Sequence, residues 1–138
     1  QTTGIRIDEV CELWFRRAPW DGPSPKDLSE KIMKRTVELF LEKGSALPGV
    51  SEIIAEVKKR KLPLALASSS PMFMILAILE RLGIKDQFDI IRSAEVEEYG
   101  KPHPAVYINT IKDLGVAAEY CLTFEDTMAG VISAKAAK

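Results

Sequence analysis

The chain has 138 residues, 46% of them hydrophobic, and 19 Lys and Arg against 20 Asp and Glu leave a net charge of −1. That length suits one domain core with a small appendage, while the charge balance and a pI near 5.9 argue against nucleic acid or an anionic membrane as a standing partner. The longest apolar stretch, around 71–79, is too short to span a bilayer; with no signal-peptide pattern, a cytoplasmic location is the default expectation.

In chain order, Val10, Leu13, Trp14 and Phe15 predict a helix over about 8–17, and Leu28, Ile32, Leu39 and Phe40 a second over about 25–43. Asp21-Gly22-Pro23-Ser24-Pro25 separates the two, and Gly44 is a natural C-cap. The organisation changes at Leu47-Pro48-Gly49, which divides the chain into residues 1–47 and 48–138. Beyond it the spacing predicts a helix over 50–61, a strand over 64–68, a helix over 71–82 closed by Gly83 and a strand over 88–92. A helix over 104–114 closed by Gly115, a strand over 120–124 and a helix-forming run over 131–138 complete the pattern. Strands separated by helices of this length imply an α/β fold with a parallel sheet and right-handed crossovers. Leu64-Ala65-Leu66-Ala67 shows no polar alternation, as expected of a strand covered on both faces. Cys11 and Cys121 lie far apart in apolar surroundings without metal-ligand spacing, and are expected to be reduced core thiols.

Three segments carry chemistry. Glu125 and Asp126 follow the apolar run 120–124, where open α/β sheets bind ligands; the bland alternative is that they only begin a helix, whose dipole favours acids. Ser68-Ser69-Ser70-Pro71 opens a helix from a strand end, with Ser70 as N-cap and Pro71 at the first helical position. Such an N-terminus with free N–H groups and adjacent hydroxyls is a ready anion site. Capping explains Ser70 but not Ser68 and Ser69, so Ser68 is assigned to phosphate. Lys101 sits between Gly100 and Pro102-His103-Pro104, whose prolines fix the backbone on its C-terminal side. A cation held that way can neutralise a phosphate or carboxylate, whereas an ordinary lysine is a solvated surface charge. His103, the only histidine, reads as turn chemistry.

The order and spacing of Ser68, Lys101 and the Glu125-Asp126 pair resemble the second, third and fourth motifs of the haloacid dehalogenase-like hydrolase superfamily. Leu66-Ala67-Ser68-Ser69-Ser70-Pro71, Ser93-Ala94-Glu95, Lys101-Pro102-His103-Pro104 and Glu125-Asp126-Thr127-Met128-Ala129-Gly130 look closest to its phosphoglucomutase-like branch. Thr3-Gly4-Ile5-Arg6-Ile7-Asp8 and the stretch from Leu13-Trp14-Phe15 through Pro19-Trp20-Asp21-Gly22-Pro23-Ser24 resemble the bacterial 2-deoxyglucose-6-phosphate and hexitol phosphatases. The resemblance implies a Rossmann-like core over 48–138 with a small helical cap over 1–47, both partial. It implies that Ser68 hydrogen-bonds the transferring phosphoryl group, with Ser69 and Ser70 beside it, that Lys101 stabilises the phosphoryl charge, and that Asp126 and Glu125 hold Mg²⁺. Asp126 is the expected direct ligand and Glu125 its support. Arg6 and Trp20 are candidates for contacting a phosphorylated sugar, since guanidinium forks onto phosphate and an aromatic ring stacks on a sugar face.

One departure is large. The family's first motif, a strand ending in Asp-x-Asp-Gly that supplies the nucleophile and the general acid/base, is not in these residues. The expectation is therefore an internal piece of a longer Mg²⁺-dependent sugar phosphatase that works through an aspartyl-phosphate, the piece alone being inactive. A phosphomutase shares these motifs; a haloacid dehalogenase shares the fold without needing a metal; an inert phosphate-binding fragment is the non-enzymatic alternative. In such folds the missing strand lies between those ending at Ser68 and Phe124, so its removal leaves unpaired edges and an aggregation-prone chain.

Overall fold

In a computed structural model, which describes residues 2–138, six longer helices and two strands follow one another as α1 (Ile7–Arg17), α2 (Pro25–Lys43), α3 (Val50–Lys59), β1 (Ala65–Ser68), α4 (Met72–Leu82), β2 (Ile90–Ser93), α5 (Ala105–Leu114) and α6 (Met128–Ala136). Short 3-10 turns occupy Lys85–Gln87, Ala94–Val96 and Ala118–Tyr120. The class is α/β, as the helix and strand periodicities require.

Strands β1 and β2 pair in parallel, with Ala65 opposite Ile90 and Ser68 opposite Ser93. That register brings both carboxyl ends, each a serine, to one level. Helix α5 packs on both strands, and α1 and α2 pack on each other, α2 also reaching α4. In the core near the strand ends Ala94, Val106, Tyr107 and Ala137 are buried together, with Ala67, Ile111 and Ala134 against them. None of the helices described is long and apolar enough to cross a membrane.

Two sequence expectations fail here for physical reasons. The strand over 120–124 does not form; a 3-10 turn at Ala118–Tyr120 leads instead into an unpaired segment, 121–126. Cys121 has extended dihedrals, φ −100° and ψ 136°, but a strand also needs a neighbour to receive its N–H and C=O groups. Leu122 and Phe124 remain 81% and 73% exposed. Ser70 is likewise not the cap of α4. Its own N–H donates to Ser68 Oγ (3.1 Å) and its carbonyl accepts from Ser93 Oγ (2.7 Å), so the turn runs on and the helix starts two residues later, after Pro71. The Met72 N–H donates instead to Glu95 Oε1 at 2.9 Å, placing a carboxylate at the positive end of α4. Cys11 is buried as expected and Cys121 is only half-buried; both thiols are free.

Candidate phosphate and metal site

Lys101 is the centre of the site. It is 5% exposed, and a buried ammonium group is tolerated only with partners. Three surround its Nζ: Glu125 Oε2 at 2.8 Å, Tyr107 Oη at 3.0 Å and the Ala67 carbonyl at 3.2 Å. The last of these is the residue before Ser68, so the lysine is anchored to the end of β1. Glu125 is held from four directions. Besides Lys101, its Oε2 accepts from Tyr107 Oη at 2.6 Å, and its Oε1 accepts from the Thr127 N–H (3.1 Å) and hydroxyl (2.8 Å). Burial works to raise the Glu125 carboxyl, yet the hydrogen bonds from Lys101, Tyr107 and Thr127 and the lysine's charge outweigh it and hold the group down to about 2. The same burial, with the Glu125 carboxylate alongside, pushes the Tyr107 phenol well above its ordinary value, so it stays protonated.

Local sequence makes this possible. Thr127 is the N-cap of α6, its Oγ1 accepting from the Gly130 N–H at 3.1 Å. Gly130 is required by space: a Cβ there would fall 1.9 Å from the Glu125 carboxyl carbon. Gly4 meets the same loop from the other side, where a Cβ would lie 2.3 Å from Thr127 Oγ1 at a backbone φ of +87° that favours glycine. Its carbonyl accepts from Ser69 Oγ at 2.7 Å. The 2–6 segment thus bridges the serine loop and the acidic loop.

An open cavity of about 520 Å³ lies between these loops. Ser68, Ser69 and Ser70 line it at the end of β1, with Lys101, Glu125 and Asp126 facing the same space and Ile32, Met33 and Thr36 of α2 contributing further wall. Asp126 is exposed. Six of the eight candidate residues therefore converge. Arg6 and Trp20 do not line the cavity, and the reason is competition from the protein itself. The Arg6 guanidinium forks onto Asp8 (2.6 and 3.2 Å) and donates to the carbonyls of Ala94 and Glu97 (3.4 and 3.1 Å). Trp20 donates its indole N–H to the Pro23 carbonyl at 2.9 Å and packs edge-on against Phe15. His103 is a turn residue, its Nδ1 accepting from the Ala105 N–H at 3.3 Å.

A profile of haloacid dehalogenase-like hydrolases matches residues 6–138. The chain belongs to this family. It is 42% identical over 137 residues to hexitol phosphatase B of Escherichia coli, covering 99% of this chain and 62% of that protein. Among solved structures it resembles CbbY of Rhodobacter sphaeroides in complex with xylulose-(1,5)bisphosphate (TM-score 0.87, 27% identity, 98% of this chain and 63% of that one). It also resembles β-phosphoglucomutase of Clostridium difficile (TM-score 0.85, 27% identity, 99% and 63%). The chain thus spans under two thirds of the length of each of these relatives.

As a member of this family of hydrolases, the chain has a donor set that can be tested against Mg²⁺. That ion takes oxygen ligands, commonly one or two carboxylates completed by water and substrate phosphate, and the exposed Asp126 beside the cavity is a donor of that kind. Glu125, expected to share in holding the ion, has both oxygens taken by Lys101, Tyr107 and Thr127 and is left a supporting place. Tyr107 and Thr127 are the site residues that sequence reading missed. Thr127 follows the acids directly and carried the cap signal; Tyr107, between Val106 and Ile111 on a helix, reads as core packing.

Proposed function

We propose that this chain forms part of a Mg²⁺-dependent phosphatase that hydrolyses the phosphate monoester of a small phosphorylated sugar, with α1 and α2 serving as a cap over the sheet-bearing core. The observation that carries this reading is the convergence of Ser68, Lys101 and Asp126 on one cavity. Ser68 Oγ already accepts from the Ser70 N–H, which leaves its hydroxyl proton to donate to a phosphoryl oxygen. Ser69 spends its proton on Gly4 and therefore supports the loop, while Ser70 contributes mainly through its backbone. The Lys101 ammonium supplies fixed positive charge where phosphoryl transfer develops negative charge. Asp126, supported by Glu125, would hold Mg²⁺, which when bound polarises the phosphoryl oxygens.

The nucleophilic carboxylate and the acid/base that serves it are assigned to a segment beyond these residues, entering between β1 and 121–126. As the carboxylate bonds to phosphorus the sugar O–P bond would break, the acid protonating the sugar oxygen as it leaves, and water deprotonated by the same group would then cleave the aspartyl-phosphate to free carboxylate and inorganic phosphate. The substrate class is supported by the names of hexitol phosphatase B and of the CbbY complex. A phosphomutase is the second reading, favoured by the β-phosphoglucomutase likeness.

Product analysis separates the two. The full-length protein given 2-deoxyglucose-6-phosphate and Mg²⁺ is expected to release inorganic phosphate and free sugar. An isomerised sugar phosphate without free phosphate would establish the mutase, and unchanged substrates across a panel of sugar phosphates would overturn both.

A further inference from the structure

Tyr107 brings to the site a hydroxyl for which the phosphatase reading has no task. Its ring belongs to the core cluster with Ala94, Val106 and Ala137, and a phenylalanine would fill that space equally well. The hydroxyl must be explained by what it touches. It carries one proton, and the 2.6 Å contact to Glu125 Oε2 takes it, because an ionised carboxylate only accepts. Lys101 Nζ, 3.0 Å away, only donates, so it bonds to the hydroxyl's lone pair. Together with the direct 2.8 Å contact between Lys101 and Glu125, the three groups close a ring in which every donor direction is determined. The remaining lysine N–H goes to the Ala67 carbonyl, and the ammonium lies 4.7 Å from the centre of the tyrosine ring. An ammonium group on a four-carbon stem otherwise samples many positions.

We infer that Tyr107 is a positioning residue, whose hydroxyl locks the Lys101 ammonium and Glu125 Oε2 into one arrangement at the cavity before phosphate arrives. The inference rests on the reading of this cavity as the phosphate site. Preorganised charge stabilises a transition state because nothing must reorient during the reaction, so loss of the lock falls on turnover more than on substrate binding.

The test is Tyr107→Phe in the full-length protein, with two measurements. In ¹⁵N NMR, the Lys101 ammonium is expected to give a slowly exchanging N–H signal, assigned by its disappearance in Lys101→Met, and Tyr107→Phe is expected to lose it to fast exchange with water. In steady-state kinetics kcat is expected to fall about tenfold or more while KM stays within about twofold. An unchanged Lys101 signal overturns the inference whatever the kinetics show, and so does an unchanged kcat in an enzyme that otherwise turns over. A Tyr107→Phe protein that no longer folds would assign the hydroxyl to stability and overturns it too. Absence of phosphate release from the unsubstituted protein refutes the functional reading instead, and the ammonium signal still decides whether Tyr107 sets the lysine.

Discussion

Lys101 and Glu125 are the residues on which the site depends, and their energetics are those of a partly buried, hydrogen-bonded ion pair. Removing one partner leaves the other without its match, which is costlier than never having had the pair. Lys101→Met in the full-length protein is therefore expected to lower phosphate release by about 10²- to 10³-fold, the range seen when one preorganised donor is lost; release within threefold of the unsubstituted protein would contradict its role. Glu125 also makes a pH prediction. Its carboxyl sits at about 2 in the folded chain against an ordinary 4.5, so the unfolded state binds its proton first as pH falls. The stabilisation is fully present above pH 4.5 and is lost between there and about 2. Urea unfolding of the unsubstituted protein and Glu125→Gln should show a constant gap above pH 4.5 that narrows below it; a gap unchanged at pH 3 would count against the coupling. At this scale the convergence of Ser68, Lys101 and the acids on one cavity had a visible cue in each segment: hydroxyls at a strand end, a lysine between glycine and proline, and paired acids after an apolar run. Arg6 was singled out because a guanidinium forks onto phosphate, but the folded chain turns it away from the cavity by bringing it the carbonyls of Ala94 and Glu97, 88 and 91 residues away.

Among the elements, helix starts place the functional loops. The positive end of α6 points at the Glu125 carboxylate through Thr127, and Gly130 lets the two approach. Gly130→Ala would drive a methyl into a carboxylate pinned by four hydrogen bonds, so it is expected to cost about 1–3 kcal/mol of stability and to weaken the Lys101 contact. A thermal midpoint unchanged from the unsubstituted protein would contradict the close approach. At α4, Glu95 does the capping that Ser70 was expected to do. Glu95→Ala is expected to destabilise the protein by about 1 kcal/mol, whereas Ser70→Ala should have little effect on stability, both read from denaturant midpoints. The helices were legible because apolar spacing and Pro and Gly boundaries are local signals. The cap by Glu95 was not, because its partner lies 23 residues away in sequence.

For the whole molecule, the parallel pair β1 and β2 is what the sequence pattern foretold, whereas the third strand expected over 120–124 is replaced by an unpaired segment over 121–126. Strand propensity is legible in a single segment; pairing is a property of two. Tyr120, Leu122 and Phe124 consequently stand 78%, 81% and 73% exposed, an apolar strip beside unpaired backbone that invites association. The 138-residue chain by itself is expected to bind a hydrophobic dye and to self-associate in size-exclusion chromatography; a monomer with a sharp cooperative unfolding transition would contradict this. Phosphate release from the full-length protein with Mg²⁺, with EDTA, and with Asp126→Asn tests whether Ser68, Lys101 and Asp126 share one phosphate and metal site. Release is expected only from the unsubstituted protein in Mg²⁺. Undiminished release in EDTA or from Asp126→Asn would contradict it.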